Sequence, residues 1–295
     1  MSGAEEQPLY RLHRDLDLHE PVLVIALEGW VDAGLGAATA VATLLAGEPS
    51  EVLATFDGDH FLDQRARRPV LRLVDGVNTE MTWPQTQMRT TKDLDDRDVV
   101  CLVGPEPDFH WRGFVDATVQ LAKTMGTRFV VGLGAFPAPA PHTRPVRLVA
   151  TGPPNATELL DRIGRTHGEV EVPAGIGAAL EIGFANADID VVTLWARVPH
   201  YVAAMAFPEA SAALVEGLAS VAGLRFDHSA LRHAADVSRR QVDEVIAGNR
   251  KHVEMVQELE RAIDEAEGNP LGLGTLPSGD ELAAELEQFL RGEEH

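Results

Sequence analysis

Four short, strongly apolar runs constrain this chain more than any other feature of its sequence. They cover residues 22–27, 99–103, 128–133 and 189–196, and the first two contain no polar residue. A strand with one face in water alternates apolar and polar residues, so such runs predict strands buried on both faces. Helical segments over residues 33–45 and 109–125 follow two of the runs. Strands that alternate with helices predict an α/β fold with a mostly parallel sheet flanked by helices.

The organisation changes near residue 227. Residues 69–91, with a turn at Asp75-Gly76, predict short antiparallel strands within the first part. Residues 228–266 then have the periodicity of one long helix, and a linker over 268–279 precedes an amphipathic helix over 280–290. We therefore expect an α/β domain over residues 1–227 and a helical C-terminal extension over residues 228–295.

The long C-terminal helix carries apolar residues at heptad-like spacing, namely Val242, Val245, Val256, Leu259 and Ile263. Such spacing is typical of a helix that packs against its own domain, and equally of a helical arm in an oligomer. A second candidate for an interface is the segment 201–208, which carries no charge before Glu209. Both alternatives for the helix stay open at this stage.

Charge and composition exclude several classes of function. Forty-six acidic residues against 25 basic ones give a net charge of −21, which repels nucleic acids and anionic membranes. No apolar run approaches the roughly 20 residues that a membrane helix needs, and the N-terminus lacks the pattern of a signal peptide. We expect a cytoplasmic protein. Its one cysteine, Cys101, lies in a predicted buried strand and should be an inert packing thiol.

The turn after the 99–103 strand is the best single candidate for a site. It carries Glu106, Asp108 and Trp111 directly before a helix, and ligands of open parallel sheets bind beyond the carboxyl ends of strands. The alternative is that Asp108 only caps the helix while Trp111 packs against the sheet. In either case Trp111 should be at least half buried, because its indole has a large apolar surface.

Acidic residues also follow the strand predicted at 51–56. Asp57, Asp59 and Asp63 could together hold a hard cation such as magnesium. The favoured interpretation is a surface ion network in which Arg65 and the next arginines neutralise these carboxylates. We therefore predict no metal site and no cofactor.

Two further strand ends deliver histidines. His142 and Arg144 lie between Pro141 and Pro145, and His200 follows the 189–196 strand. Arg144 could bind a carboxylate or phosphate, and a histidine could transfer a proton, but no local spacing matches a metal-ligand pattern. A structural role is equally compatible with this loop. A shared catalytic or ligand site requires that all these strand-end residues converge, rather than lie more than about 10 Å apart or in separate ion pairs.

Five motifs occur in an order that resembles the proteasome assembly chaperone family, in its bacterial branch with a helical extension. They are ALEGWVDAG from Ala26, GPEPDFHW from Gly104, PHTRP from Pro141, PAGIGAAL from Pro173 and VPHYVAAMAFPEA from Val198. The resemblance implies a Rossmann-like fold related to phosphorylases and hydrolases, and homo-oligomers in prokaryotes. It also implies binding to proteasome α-subunits in eukaryotic and some archaeal members.

The expected function is a non-catalytic, oligomeric protein-interaction or assembly factor, with a trimer favoured over a dimer. Proteasome subunits are candidate partners; nucleic acid and membrane are not. Proteasome-binding members end in a hydrophobic residue, a tyrosine and one last residue, whereas this sequence ends LRGEEH, so we expect no docking through such a tail. The alternative is a small-molecule-binding protein or a hydrolase- or phosphorylase-like enzyme that uses the strand-end loops.

Overall fold

An eight-stranded sheet and a separate two-stranded hairpin organise the structure, a computed structural model that describes residues 8–15, 17–46, 50–166 and 168–268. The elements within these ranges are, in chain order, β1 (Tyr10–Leu12), β2 (Val22–Glu28), α1 (Gly36–Ala46), β3 (Glu51–Phe56), α2 (Gly58–Phe61), β4 (Val70–Val74), β5 (Val77–Thr82), β6 (Gln87–Lys92), β7 (Asp98–Pro105), α3 (Trp111–Thr124), β8 (Phe129–Ala138), β9 (Leu148–Thr151), α4 (Thr157–Ile163), α5 (Ile176–Asn186), β10 (Val191–Pro199), α6 (Pro208–Ala222), α7 (Ser229–Ala247) and α8 (Arg250–Gly268). Among the helices so placed, none is long and apolar enough to cross a membrane.

The large sheet has a parallel centre and antiparallel margins. Its order is β1-β3-β6-β7-β2-β8-β10-β9, and the four strands from β7 to β10 in this order are mutually parallel. These four are the apolar runs of the sequence. Val22 of β2 lies opposite Val99 on one side and Phe129 on the other. The α/β class with a mostly parallel sheet flanked by helices is confirmed.

Alternating residues of β2 enter two separate cores, which explains its uninterrupted apolar run. Val22 and Val24 face the core that α1 and α6 close, whereas Leu23 and Ile25 face the core that α3 and α5 close. Each buried side chain of this size stabilises the fold by roughly 1.5–3 kcal/mol relative to an exposed one. Cys101 of β7 lies in the first core, and complete burial raises the pKa of its thiol to about 12.

The prediction of one long helix over residues 228–266 is wrong. Two helices, α7 and α8, meet at Gly248 and Asn249, where the Asn249 side chain accepts a hydrogen bond from the Lys251 N–H at 3.0 Å and caps α8. Val242 and Val256 are buried within their own chain, while Val245 is exposed. At both buried positions, therefore, α7 and α8 pack against their own chain. The predicted linker and the helix over 280–290 lie outside the described residues.

The antiparallel strands predicted within 69–91 are β4, β5 and β6. Asp75 and Gly76 join β4 to β5 with positive φ values of 51° and 81°, as a type I′ hairpin turn requires. β6 joins the large sheet, whereas β4 and β5 pair only with each other. Every residue of β4 and β5 is exposed.

Candidate functional site

Glu106 connects three segments at the carboxyl edge of the sheet. Its Oε2 atom accepts the N–H of Ile176, the first residue of α5, at 3.2 Å, where the helix dipole favours a carboxylate. Its own N–H donates to the Glu28 carbonyl oxygen at 2.7 Å. Gly29 has a φ of +123°, and a Cβ there would stand 2.9 Å from Glu106 Cγ. The ALEGW and PAGIG motifs thus meet at the Glu106 side chain.

Asp108 does not cap the following helix. Its Oδ2 atom accepts the Asp63 N–H at 2.8 Å and the Arg67 Nε–H at 3.1 Å. Asp108 therefore binds the segment after α2 to the turn between β7 and α3. The N-cap of α3 is His110, which has a φ of 55° and makes no side-chain capping bond. Helix capping by Asp108 is therefore a wrong interpretation.

Trp111 is partly buried against the core under α3, as expected. Its indole N–H donates to the Pro107 carbonyl oxygen at 2.7 Å, which satisfies its one polar atom within the turn. The neighbouring His110 ring stacks on His60 with a centroid distance of 4.2 Å. Trp111 therefore stabilises the turn and has no donor left for a ligand.

The Asp57 region differs from its prediction in two respects. Asp57 caps α2 by accepting the Asp59 N–H at 3.0 Å. Arg65 is exposed and forms no ion pair with any residue that the structure describes, so the predicted neutralising network is wrong at this position. No three acidic, histidine or cysteine side chains among the described residues are spaced to hold a metal ion.

Asp57 and Asp59 instead line an open cleft of about 770 Å³ beside the antiparallel end of the sheet. Arg11 and His13 from β1 and the segment after it also line this cleft, and half-exposed Trp83 stands at its wall. The cleft offers donors, acceptors and aromatic side chains, and its volume lies within the range of small-molecule sites, roughly 300–1,000 Å³.

His142 is buried and occupies the centre of a hydrogen-bond chain that runs from Tyr201 to the exposed Asp243. Its Nδ1 atom lies 2.7 Å from Tyr201 Oη and its Nε2 atom lies 3.0 Å from Asp243 Oδ1, while its backbone N–H also donates to Tyr201 Oη at 2.8 Å. Burial raises the pKa of Tyr201 to about 12, so the phenol keeps its proton. A neutral histidine that donates from Nε2 and accepts at Nδ1 satisfies every polar atom in this chain.

Arg144 binds the last described helix. Its Nε and Nη2 atoms donate to the two carboxylate oxygens of Asp264 at 3.1 and 2.9 Å, and Nη1 donates to Glu260 at 3.2 Å. The hydrogen bond with Asp264 raises the pKa of Arg144 and lowers the pKa of Asp264. Arg239 of α7 donates to the Thr143 carbonyl oxygen at 2.8 Å. We call residues 141–145, which begin and end with proline, the proline-bracketed loop. Both α7 and α8 are hydrogen-bonded to this loop.

The strand-end residues do not converge on one reacting atom. β2 lies between β7 and β8, and β6 lies between β7 and β3, so the strands that lead to Glu106, His142 and Asp57 are not neighbours in the sheet. Asp108, His142 and Arg144 each bind a different side chain, namely Arg67, Asp243 and Asp264. His200 is exposed, and its ring lies edge-on to the Tyr201 ring at 5.3 Å between centroids. The hypothesis of a single catalytic cleft built from all these residues is wrong.

Sequence reasoning did not find the partners of the proline-bracketed loop. The partners are Tyr201, Asp243, Glu260 and Asp264, which lie 59 to 120 residues away from His142 and Arg144. The prolines indicated a rigid, special loop, but no local pattern marks a tyrosine or a helical carboxylate as its partner.

Two loops at the same edge expose large apolar side chains. The Gly34 N–H donates to the Ala203 carbonyl oxygen and the Phe207 N–H donates to the Gly34 carbonyl oxygen, both at 2.8 Å, so the loops are joined. Asp32 accepts the N–H groups of residues 37 and 38 and thereby fixes the first loop at the start of α1. We define the edge patch as the exposed residues on these loops, namely Trp30, Val31, Leu35 and Met205.

The fold and these contacts define an α/β protein in which the motifs at the strand ends mainly form hydrogen bonds with other segments of the same chain. The chain belongs to the PAC2 family, whose model matches residues 26–246. It is 34% identical to a proteasome-assembly chaperone homologue from Mycobacterium tuberculosis, with a TM-score of 0.73 over 80% of this chain and 99% of that one. A PAC2 family protein from Streptomyces avermitilis has the same identity and coverage, with a TM-score of 0.72.

A structure from Corynebacterium glutamicum described as a protein of unknown function covers more of the chain. It is 28% identical, with a TM-score of 0.83 over 90% of this chain and 99% of that one. An archaeal proteasome activator from Pyrococcus furiosus, at 18% identity and a TM-score of 0.61, shares the fold. No protein with a curated description matches the chain.

Proposed function

We propose that this protein is a non-catalytic, homo-oligomeric interaction factor that binds proteasome subunits through the edge patch. One observation carries the proposal: the polar side chains at the strand ends are occupied by internal hydrogen bonds, while two of the family motifs and Leu35 beside them present apolar side chains to solvent. Leu35 and Met205 are 54% and 52% exposed. Exposed apolar residues grouped on a polar surface are typical of protein-interaction sites.

The relatives support the choice of partner. One relative at 34% identity is named a proteasome-assembly chaperone homologue. The net charge of −21 further favours a partner surface that is apolar or basic opposite the patch. A cytoplasmic location, a trimer in preference to a dimer, and a division into an α/β body (1–227) and a helical extension (228–295) are parts of the same proposal.

The test compares three full-length proteins for binding to purified proteasome α-subunits of the source organism. The variant L35E/M205E places two charges in the edge patch, and the control I182E/V245E places two charges at apolar positions outside it that are somewhat more exposed. We expect the wild type and the control to bind alike and L35E/M205E to bind at least about tenfold more weakly, which corresponds to about 1.4 kcal/mol. Absent binding by the wild type, or equal binding by all three proteins, would contradict the proposal.

The cleft of about 770 Å³ supports a second candidate function, the binding of a small polar molecule. Asp57, Asp59, Arg11 and His13 would bind it, with Trp83 against its apolar face. Native mass spectrometry of freshly purified protein should then detect a retained small molecule that D57N/D59N has lost. Identical spectra for the two proteins would argue against this function.

A further inference from the structure

Arg197, near the end of β10, carries a partly buried charge that no acidic side chain of the described residues balances. Its Nε atom is buried and has no hydrogen-bond partner among those residues. Burial, together with the positive charge of Arg147, lowers the pKa of Arg197. A buried charge without a counter-charge is strongly unfavourable. The surroundings of Arg197 therefore favour an anion beside its guanidinium group.

The other partly buried arginines of the described chain each bind a polar side chain. Their partners are Asp108 for Arg67, Ser50 for Arg89, Asp264 for Arg144 and Glu216 for Arg232. The chain has 46 acidic residues, so carboxylates are not scarce. Arg197 differs from the rest because the charged group that affects its pKa is another arginine.

A small cavity gives an anion access to Arg197. Its walls come from residues 140–147, from the end of β10 and from Ile263 of α8. Three arginines line it, namely Arg144, Arg147 and Arg197. Its volume is about 10 Å³, which is room for about one water molecule or one oxygen atom of a larger group. The rest of such a group would lie toward solvent, beside the exposed Arg147.

The backbone keeps two of these arginines adjacent. The Arg197 N–H donates to the Arg147 carbonyl oxygen at 3.1 Å, so the charges lie on neighbouring segments of the sheet edge. Arg144 donates to Asp264 and Glu260 and thereby binds α8 at the same place. An anion in the cavity would thus touch the sheet, the loop and α8 together.

We infer that this cavity binds an oxyanion, the phosphate or carboxylate group of a small molecule, with Arg197 as its main ligand and Arg147 beside it. The Nε and Nη groups of a guanidinium form a fork that matches two oxygens of such a group. The site goes beyond the proposed function, because it needs neither the edge patch nor a proteasome subunit. It also lies at the opposite end of the sheet from the cleft of about 770 Å³.

Thermal melts of the full-length protein in phosphate, acetate and chloride of equal ionic strength test the site. The variant R197M removes the buried guanidinium, and R65M is the control that removes an exposed one. Phosphate or acetate at about tenfold its Kd should raise the melting temperature of the wild type and of R65M by about 3 °C. It should leave R197M unchanged. A larger shift with phosphate would identify a phosphate group, and a larger shift with acetate would identify a carboxylate.

Two results of these melts would overturn the site. Equal shifts in all three salts would show a general effect of ionic strength, and equal shifts in R197M and R65M would show that Arg197 binds no anion. Without added anion, R197M should melt no lower than the wild type, because an apolar side chain of similar length replaces an unpaired charge. R147M, at an exposed position, is a second variant that should fold and respond to phosphate at least about threefold more weakly, and a full response by R147M would also contradict the inference.

Hydrogen exchange locates the anion without any substitution. Phosphate should slow the exchange of amides in residues 141–147 and 257–264 of the wild type, because the cavity joins these segments. Protection confined to residues 8–13 and 55–64 would place the phosphate in the cleft lined by Arg11 and His13 instead, and would overturn the Arg197 site.

Discussion

At the scale of single residues, the Tyr201 hydroxyl binds the proline-bracketed loop at two atoms of His142. Its hydroxyl is the acceptor for the His142 backbone N–H and the hydrogen-bond partner of His142 Nδ1, and His142 is itself almost completely buried. A buried polar group that loses its partner costs the free energy of its desolvation, because water cannot replace the lost bond. Two buried polar groups of His142 therefore depend on one oxygen atom.

We expect Y201F to lower the free energy of unfolding by about 1–3 kcal/mol, because it leaves two buried groups of His142 without a partner. Tyr10 is the other tyrosine, and its hydroxyl makes no hydrogen bond with any described residue, so Y10F is the matched control and should change stability far less. Urea unfolding of both variants measures the difference. Equal effects of the two substitutions would show that the hydroxyl of Tyr201 has no structural role.

The pKa of Tyr201 gives a second prediction. The folded protein holds this phenol protonated to about pH 12, whereas in the unfolded chain the phenol has its ordinary pKa of 10.0 and releases the proton there. A raised pKa in the folded state means that the stabilisation is complete below pH 10 and is lost as the pH rises through about 12. In Y10F, tyrosinate absorbance should appear near pH 12 in the folded protein and near pH 10 in denaturant. Coincident titrations would contradict the burial of this phenol.

At the scale of elements, local patterns predicted the strands well and the C-terminal helix less well. The four apolar runs became the four central strands because burial on both faces leaves a continuous signal in the sequence. The break at Gly248 and Asn249 was missed because apolar residues keep seven-residue spacing across it, from Val242 to Val256 and Ile263. The spacing of apolar residues shows which of them share a helix face only while the helix is continuous. Here the helix ends at Gly248, and Asn249 caps the start of the next one.

Two valines at these heptad-like positions, Val245 and Val256, should differ in how strongly a charge destabilises the protein. Val256 is 6% exposed, so V256E should destabilise the protein by a few kcal/mol, since an unpaired carboxylate would be buried. Val245 is 70% exposed, and V245E should shift the free energy of unfolding by no more than about 0.5 kcal/mol. Thermal melts at one protein concentration compare them. An unchanged melt for V256E would mean that α8 does not pack on its own chain.

At the scale of the whole molecule, the sequence was enough to name the candidate residues. It was not enough to predict which of them contact one another. Strand ends identified Glu106, His142 and Arg144 because parallel strands deliver their following loops to one edge. Which of them meet depends on strand order, which places β2 between β7 and β8, and on partners in α7 and α8 more than 100 residues away. Neither the strand order nor these distant partners can be predicted from a local sequence pattern.

The helices after residue 227 and the α/β body should unfold together. Leu231 and Val242 of α7 belong to the same core as α1, α6 and the central strands, so α7 cannot leave without opening that core. We expect the fluorescence of the tryptophans and the far-ultraviolet dichroism of the helices to show one coincident thermal transition. Two separate transitions would show that the body and the C-terminal helices are independently folded.

The position of Cys101 makes the unmodified protein a reporter of its own opening. The thiol is the only one in the chain, it is completely buried in β7, and its raised pKa keeps it in the unreactive protonated form. A thiol reagent in excess can therefore modify the protein only when the central sheet separates. The rate of labelling, followed by mass spectrometry without any engineered probe, measures how often that separation occurs under native conditions.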